Sequence, residues 1–462
     1  MRRLLKTALL IASVTGLVWG AAIWYWRDTN SQPDGKDLLV FLVLLPLGIL
    51  LLLWLGRYAV GLLTAAPALS LSSAELPAAA APAPAAPALP PLVLVASALR
   101  VPHGNSAREL AGALADNKGR AGLDPELVDD QGYPIMSARV EGADDPAVQV
   151  EMLAWLALQS FSTLHYNDEQ WRALTLASAV ATELGQRLAV HEDMQAPTAP
   201  TLQLLILWQA GWQLHERAAA AQWMRHLVAR QGWPLEKIVM EPELAGDPSS
   251  ATPAALLTRL ARQRGAGHPV LALALACGSH IGEASVVRWS ANNALFSAAH
   301  GQGKVPGEGA AGLLLADPAQ ATLLDNPSHV MLHSVEGQRQ DSIAESKRTD
   351  ASVLRKLAEL VLVDSATDAD AVAMIVADTG NRTNRVMETM GLAGAVAPQL
   401  DTGDELLQIG AASGTCSAVP FLTVLALAAH QSAELDAPIL CLSNEDPLRR
   451  SAALLWPAPS LA

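Results

Sequence analysis

The sequence predicts an α/β fold, and three observations carry that prediction. Short runs such as Val270 to Ala276 and Ala310 to Ala316 are apolar at every position. They lack the inside–outside alternation of a half-exposed strand, so a sheet covered on both faces is expected, with its strands parallel. These runs alternate with longer stretches of helical period, the pattern of an α/β chain. Finally, the glycine-dense turn Gly303-Lys304-Val305-Pro306-Gly307-Glu308-Gly309 runs straight into the apolar stretch 310–316. Gly307 and Gly309 permit backbone approaches that a Cβ forbids.

Taken from its start, the chain first reads as membrane-bound. Thr7 to Trp26 is uncharged up to its end and of spanning length, with Trp19, Trp24, Tyr25 and Trp26 where an aromatic belt sits. Leu38 to Leu55 carries no charge and gives a second span that tolerates Pro46. A cleaved signal peptide is the rival for the first run, but bulky aromatics and a second span follow it at once. Arg2, Arg3 and Lys6 precede the first span and Arg57 follows the second, so the positive-inside rule leaves both ends in the cytoplasm. Residues 1–62 are therefore expected to form a two-helix hairpin in the inner (cytoplasmic) membrane. The Ala/Pro-rich segment 63–91 then acts as a semi-rigid spacer.

Beyond the spacer, Leu92 to Val95 reads as a strand. Ala107 to Ala115 reads as a helix, with Ser106 as its N-cap and Glu109 three residues on. Glu151 to Leu158, Trp171 to Leu188 and Leu202 to Arg230 have helical period, and their bulky residues are assigned to packing. Pro253 opens a helix over 254–264 that Gly265-Ala266-Gly267 ends. Strands follow at 270–276, 310–316, 330–332 and 372–376, the last preceded by a helix over 354–362. Val419 to Ala429 reads as a buried helix, then 438–442 and 452–456 as strands. The net charge of −14 over 462 residues disfavours nucleic acid. Cys277, Cys416 and Cys441 are too scattered for a disulfide framework or a zinc site, and no cofactor or metal is expected.

In this order the pieces resemble the thiolase-type fold of β-ketoacyl synthases, over nearly all of 92–462. Leu92 to Val95, Pro102-His103-Gly104-Asn105-Ser106 and the helix after it resemble that family's opening strand, turn and helix. Val305 to Ala310 resembles its GEGA turn, the most specific match. Ile375 to Glu388 sits where its first histidine motif lies, and Ile409 to Leu427 where a second glycine turn enters a helix. Leu442 to Trp456 resembles its closing hairpin. The resemblance implies two halves, 92–325 and 326–462, in a layered α/β/α/β/α domain, and a homodimer or heterodimer.

The family's chemistry does not follow. It uses a cysteine at a helix start and two histidines at the oxyanion. Here the nucleophile's place falls near Ser249 or Ser250, the first histidine's at or near Asp378 and the second's near Gly410 or Ala411. Glu388 matches the glutamate after the first histidine, with nothing left for it to orient. The expectation is a catalytically inactive, membrane-anchored adaptor or scaffold on the cytoplasmic face, whose client is a lipid or polyketide assembly system or a secretion machine. Two rivals stand beside it. One is a serine-dependent acyltransferase using Ser249 or Ser250, with His268 or His280 as base. The other is a binding site built on Asp378 and Asn381 in the old acyl pocket.

Overall fold

The computed structural model describes residues 88–458 apart from 160, 162–163, 189–199, 241–251, 325–329 and 340–348, together with positions 19 and 45. The chain divides into two compact units, Met1–Ala85 and Ala86–Ala462. The predicted spans at 7–26 and 38–55, and most of the spacer, lie outside the described residues. Among the described residues no helix is long and apolar enough to cross a membrane.

The second unit opens on β1 (Leu92–Arg100) and α1 (Ala107–Ala115). The Ser106 hydroxyl caps α1 by accepting from the Glu109 amide, and Glu109 reaches back to the Asn105 amide rather than to that of Ser106. A small antiparallel pair, β2 (Gly122–Val128) and β3 (Pro134–Ser137), stands apart from the main sheet. Then come α2 (Pro146–Leu158), α3 (Asp168–Leu188), β4 (Leu202–Leu207), α4 (Leu214–Arg230), β5 (Ile238–Met240), α5 (Pro253–Gly265), β6 (Leu271–Ser279), α6 (Glu283–Ala291) and β7 (Glu308–Ala316). The remainder is β8 (Val330–Gln338), α7 (Ser352–Asp364), β9 (Met374–Ala377), α8 (Thr383–Val396), β10 (Leu406–Gln408), α9 (Val419–Leu435), β11 (Ile439–Ser443) and β12 (Arg449–Pro457).

Two expectations are corrected. Leu202 to Arg230 is not one helix: its first six residues, Leu-Gln-Leu-Leu-Ile-Leu, form β4, and helix starts only after Gly211, whose φ is +97°. An apolar run of six satisfies either period, and burial between β6 and β5 decides it. The strands are also not all parallel. β4 pairs parallel with β5 and β6, and β9 with β10 and β11, but β7 runs antiparallel to β1 and β6, and β12 to β8 and β11. The five residues between β11 and β12 are too few for a crossover, so those strands form a hairpin.

The strand order is β10-β9-β11-β12-β8-β1-β7-β6-β4-β5. It is the same motif twice. In each half the first strand lies beside the fifth, then the fourth, second and third, and the halves meet where Leu92–Leu94 pairs with Val330–Leu332. Side-chain packing gives the layers. α3 and α4 cover one face of the first half, α7 and α8 cover one face of the second, and α5 and α9 fill a shared core reaching strands of both. α9 is buried from Val419 to Ala429, as the mostly apolar run there requires. Trp223, among the tryptophans read as packing, is buried between α3 and α4, where its indole N–H donates to the Ser178 hydroxyl at 2.9 Å.

Candidate functional site

A cavity of about 560 Å³ opens past the carboxyl ends of β4, β9 and β11, the edge where open α/β sheets place ligands. Trp208 and Ala210 line it after β4, Asp378 after β9, and Ser443 and Glu445 after β11. Thr252 at the start of α5 faces it, as does the segment Gly414–Ala418 before α9.

Asp378 is 4% exposed. It accepts from the Ser443 hydroxyl at 2.5 Å and the Asn444 amide at 2.9 Å. Burial first, and then the Glu445 carboxylate, push its carboxyl up to about 7. Thr379 next to it donates to the Asn444 side-chain oxygen, and the Gly380 amide donates to Glu445. The turn after β9 is thus tied to the β11–β12 hairpin. Asn381 is exposed and forms a long hydrogen bond of 3.5 Å to the Gly301 carbonyl.

Glu388 is fully buried and, contrary to expectation, has partners to orient. Arg450 donates to it through Nε at 2.7 Å and Nη2 at 3.0 Å, with Arg339 at 3.4 Å. Glu308 of the glycine turn is held alike: Arg172 donates through Nε at 2.8 Å and Nη2 at 2.6 Å, the Ser279 hydroxyl at 3.0 Å and the Val140 amide at 2.8 Å. Both carboxylates are structural ion-pair centres in fork geometry. No spacing rule links Arg172 to Glu308 or Arg450 to Glu388, so the sequence gives no signal for either partner.

The glycines act by close approach. A Cβ on Gly307 would lie 2.1 Å from the Ser413 carbonyl oxygen, because the glycine turn packs against the segment at Gly414. Pro306 there bridges to Thr415. Gly307→Ala is accordingly expected to destabilise the protein by about 3 kcal/mol, read from urea unfolding. Unchanged stability would mean that this packing is wrong. Gly410 does not face the cavity: a Cβ there would lie 2.3 Å from the Asp378 carbonyl oxygen. The wall of the cavity begins four residues later.

Ser249 and Ser250 lie outside the described residues. Thr252, just past them, accepts from the Ala255 amide and donates to Glu336 at 2.9 Å. His280 is committed elsewhere, with Nδ1 3.0 Å from the Ser285 hydroxyl and the Gln209 amide at 3.1 Å. Burial, reinforced by Arg288 and Lys304, pushes its ring down to about 3. Ser285 also donates to Glu169 and is itself fully buried, while His280 and Glu169 are half-buried. His268 is exposed.

Cys416, which the sequence showed only as one of three scattered cysteines, lines the cavity at 1% exposure. Its thiol donates to the Gly278 carbonyl at 3.2 Å, and burial raises it well above the ordinary range. Burial likewise pushes the Cys277 thiol up to about 12. Neither is a ready thiolate. Among the described residues no group of His, Cys, Asp or Glu is placed to hold a metal.

No protein-family description matches the sequence, and no curated protein does either. Solved structures match in shape. An oxazolomycin ketosynthase domain of Streptomyces albus JA3453 superposes with a TM-score of 0.57 at 12% identity, over 81% of this chain and 75% of that one. The ketosynthase from module 6 of the bacillaene synthase of Bacillus subtilis 168 gives 0.56 at 11%, over 80% and 72%. The ishigamide ketosynthase/chain length factor gives 0.52 at 15%, over 80% of this chain and all of that one. The second unit therefore has the thiolase-like fold of the ketosynthases.

Proposed function

We propose that this chain is a ketosynthase-fold protein without condensing activity, which works by binding other proteins at the cytoplasmic face of the membrane that its first 62 residues enter. The observation that carries the reading is Asp378. Where the resemblance puts an imidazole donor beside an enolate, at or near this residue, Asp378 is a buried carboxyl fastened by Ser443 and Asn444. The sealed thiols of Cys277 and Cys416 agree with it. Because the fold is kept while this chemistry is not supported, the protein serves as a scaffold, paired with a second copy or with an active ketosynthase.

Two measurements test this. Purified full-length protein is expected to consume no acyl thioester above a heat-treated control. If turnover appears and is lost when Ser249→Ala and Ser250→Ala are combined, a serine acyltransferase replaces the scaffold. A crosslinked pull-down from native membranes then identifies the client. Enrichment of acyl carrier protein or an active ketosynthase assigns the chain to lipid or polyketide assembly, whereas enrichment of secretion components assigns it to an export machine as an adaptor.

A further inference from the structure

The helix α2 is apolar on every side, yet more than half of its residues face solvent. Of its 13 residues only Glu151 is charged, and only Met152 and Leu156 are buried. Those two hold its inner face, together with Trp155, which stacks on His226 of α4 at 4.8 Å between ring centres. Outward stand Pro146, Val150, Leu153, Ala154, Ala157 and Leu158, with Val150 67% and Leu158 81% exposed. They recur at the spacing of one helical face and cover it for about 20 Å. A helix of this composition is ordinarily enclosed, and a contiguous apolar face left outside marks an interaction surface.

The rim of this face is acidic. Two clefts of about 350 and 680 Å³ flank α2 and share Asp145 and Thr175. Five carboxylates line the first and four the second, against two arginines and one. Each arginine is already engaged: Arg172 by Glu308, Arg139 by Asp124 and Glu126, Arg100 by Glu183. Arg230 is taken by Glu151, and Asp144 reaches only the edge of Arg172, at 4.0 Å. Helix N-termini account for Asp145, Asp168 and Glu283, but Glu141, four residues ahead of the α2 cap, has no such support. We propose that α2 and its flanking clefts dock an amphipathic helical segment of a partner protein, apolar toward α2 and carrying Lys or Arg along its edges. The apolar face supplies burial, while the acids select a basic partner and fix its register. The same acids oppose the two other occupants of such a face. A second copy brings an equal acidic rim, and anionic lipid headgroups are repelled. The inference rests on the scaffold reading, to which it adds a surface and a class of partner.

The test uses full-length protein in its native membranes, with the photo-crosslinker p-benzoylphenylalanine in place of Val150. The same group in place of Lys356, an exposed residue of α7, serves as the control. Light is expected to join the Val150 position, and not the Lys356 position, to another protein. Mass spectrometry of the adduct should place the joined residue in a segment of helical apolar period edged by Lys or Arg. Combining Glu141→Lys with Asp144→Lys is expected to lower the adduct yield about fivefold. It should leave Tm within about 2 °C, because both side chains are exposed. No adduct, an adduct with a second copy or with lipid, a joined segment that is acidic or without helical period, or an undiminished yield from the charge-reversed protein would each overturn the proposal. The mapping criterion uses neither lysine variant and holds even if their combination fails to fold. Acyl-thioester turnover sinks the scaffold reading, whereas the crosslink can sink only the surface, so the two failures are distinct.

Discussion

Glu308→Ala is expected to cost about 3–5 kcal/mol of folding stability, because it strands the Arg172 guanidinium in the core. Arg172 is 8% exposed, and both of its close donations go to Glu308. The same substitution also orphans the Ser279 hydroxyl and the buried Val140 amide. Chemical unfolding, with the urea midpoint and slope both recorded, measures the loss. The companion substitution Arg172→Met should cost clearly less when combined with Glu308→Gln than the sum of the two alone, since the pair is coupled. Additive costs would show that the ion pair does not exist. Were Glu308 instead a catalytic group, its loss would leave the fold intact.

The second expectation concerns pH. Asp378 titrates at about 7 in the folded protein, against an ordinary value of 3.8. Between these values the folded state keeps a proton that the unfolded state has released. Stability from this group is therefore present at acid pH and is lost as pH rises from about 4 to about 7, by on the order of 4 kcal/mol in all. Above about 7 the carboxyl is ionised in both states and adds no further slope. Asp378→Asn keeps an acceptor for the Asn444 amide and cannot ionise. It should remove this fall, so that the variant is the more stable protein at pH 8. Parallel stability curves for the two proteins from pH 4 to 8 would overturn the assignment.

The readability of the chain follows from where its physics is local. Runs buried on both faces, such as those of β6, β7 and α9, announce themselves because each residue must be apolar. The cap at Ser106 was legible because it needs only the next three residues. β4 was misread because a six-residue apolar run has no period of its own, and only its neighbours β5 and β6 make it a strand. At the site, the glycine turn and Glu388 were visible as motifs, but their meaning was not. Arg172 lies 136 positions from Glu308 and Arg450 lies 62 from Glu388. Arg385, with two unpaired nitrogens, and Cys416 carry no local sign of their place, since the cavity wall is assembled from segments that only the fold brings together.

The doubled strand order sets a timetable for the nascent chain. β1 leaves the ribosome early, yet both of its partners, β7 and β8, end more than two hundred residues further on. At ordinary elongation rates this nine-residue apolar strand waits roughly 10–40 s for a hydrogen-bonding neighbour. Throughout that interval it is an unpaired edge of the kind that seeds aggregation. Maturation of this protein is thus tied to whatever shields residues 92–100 until the first half is complete. Slowing translation between β1 and β7 should lower the soluble yield more than slowing it after β8.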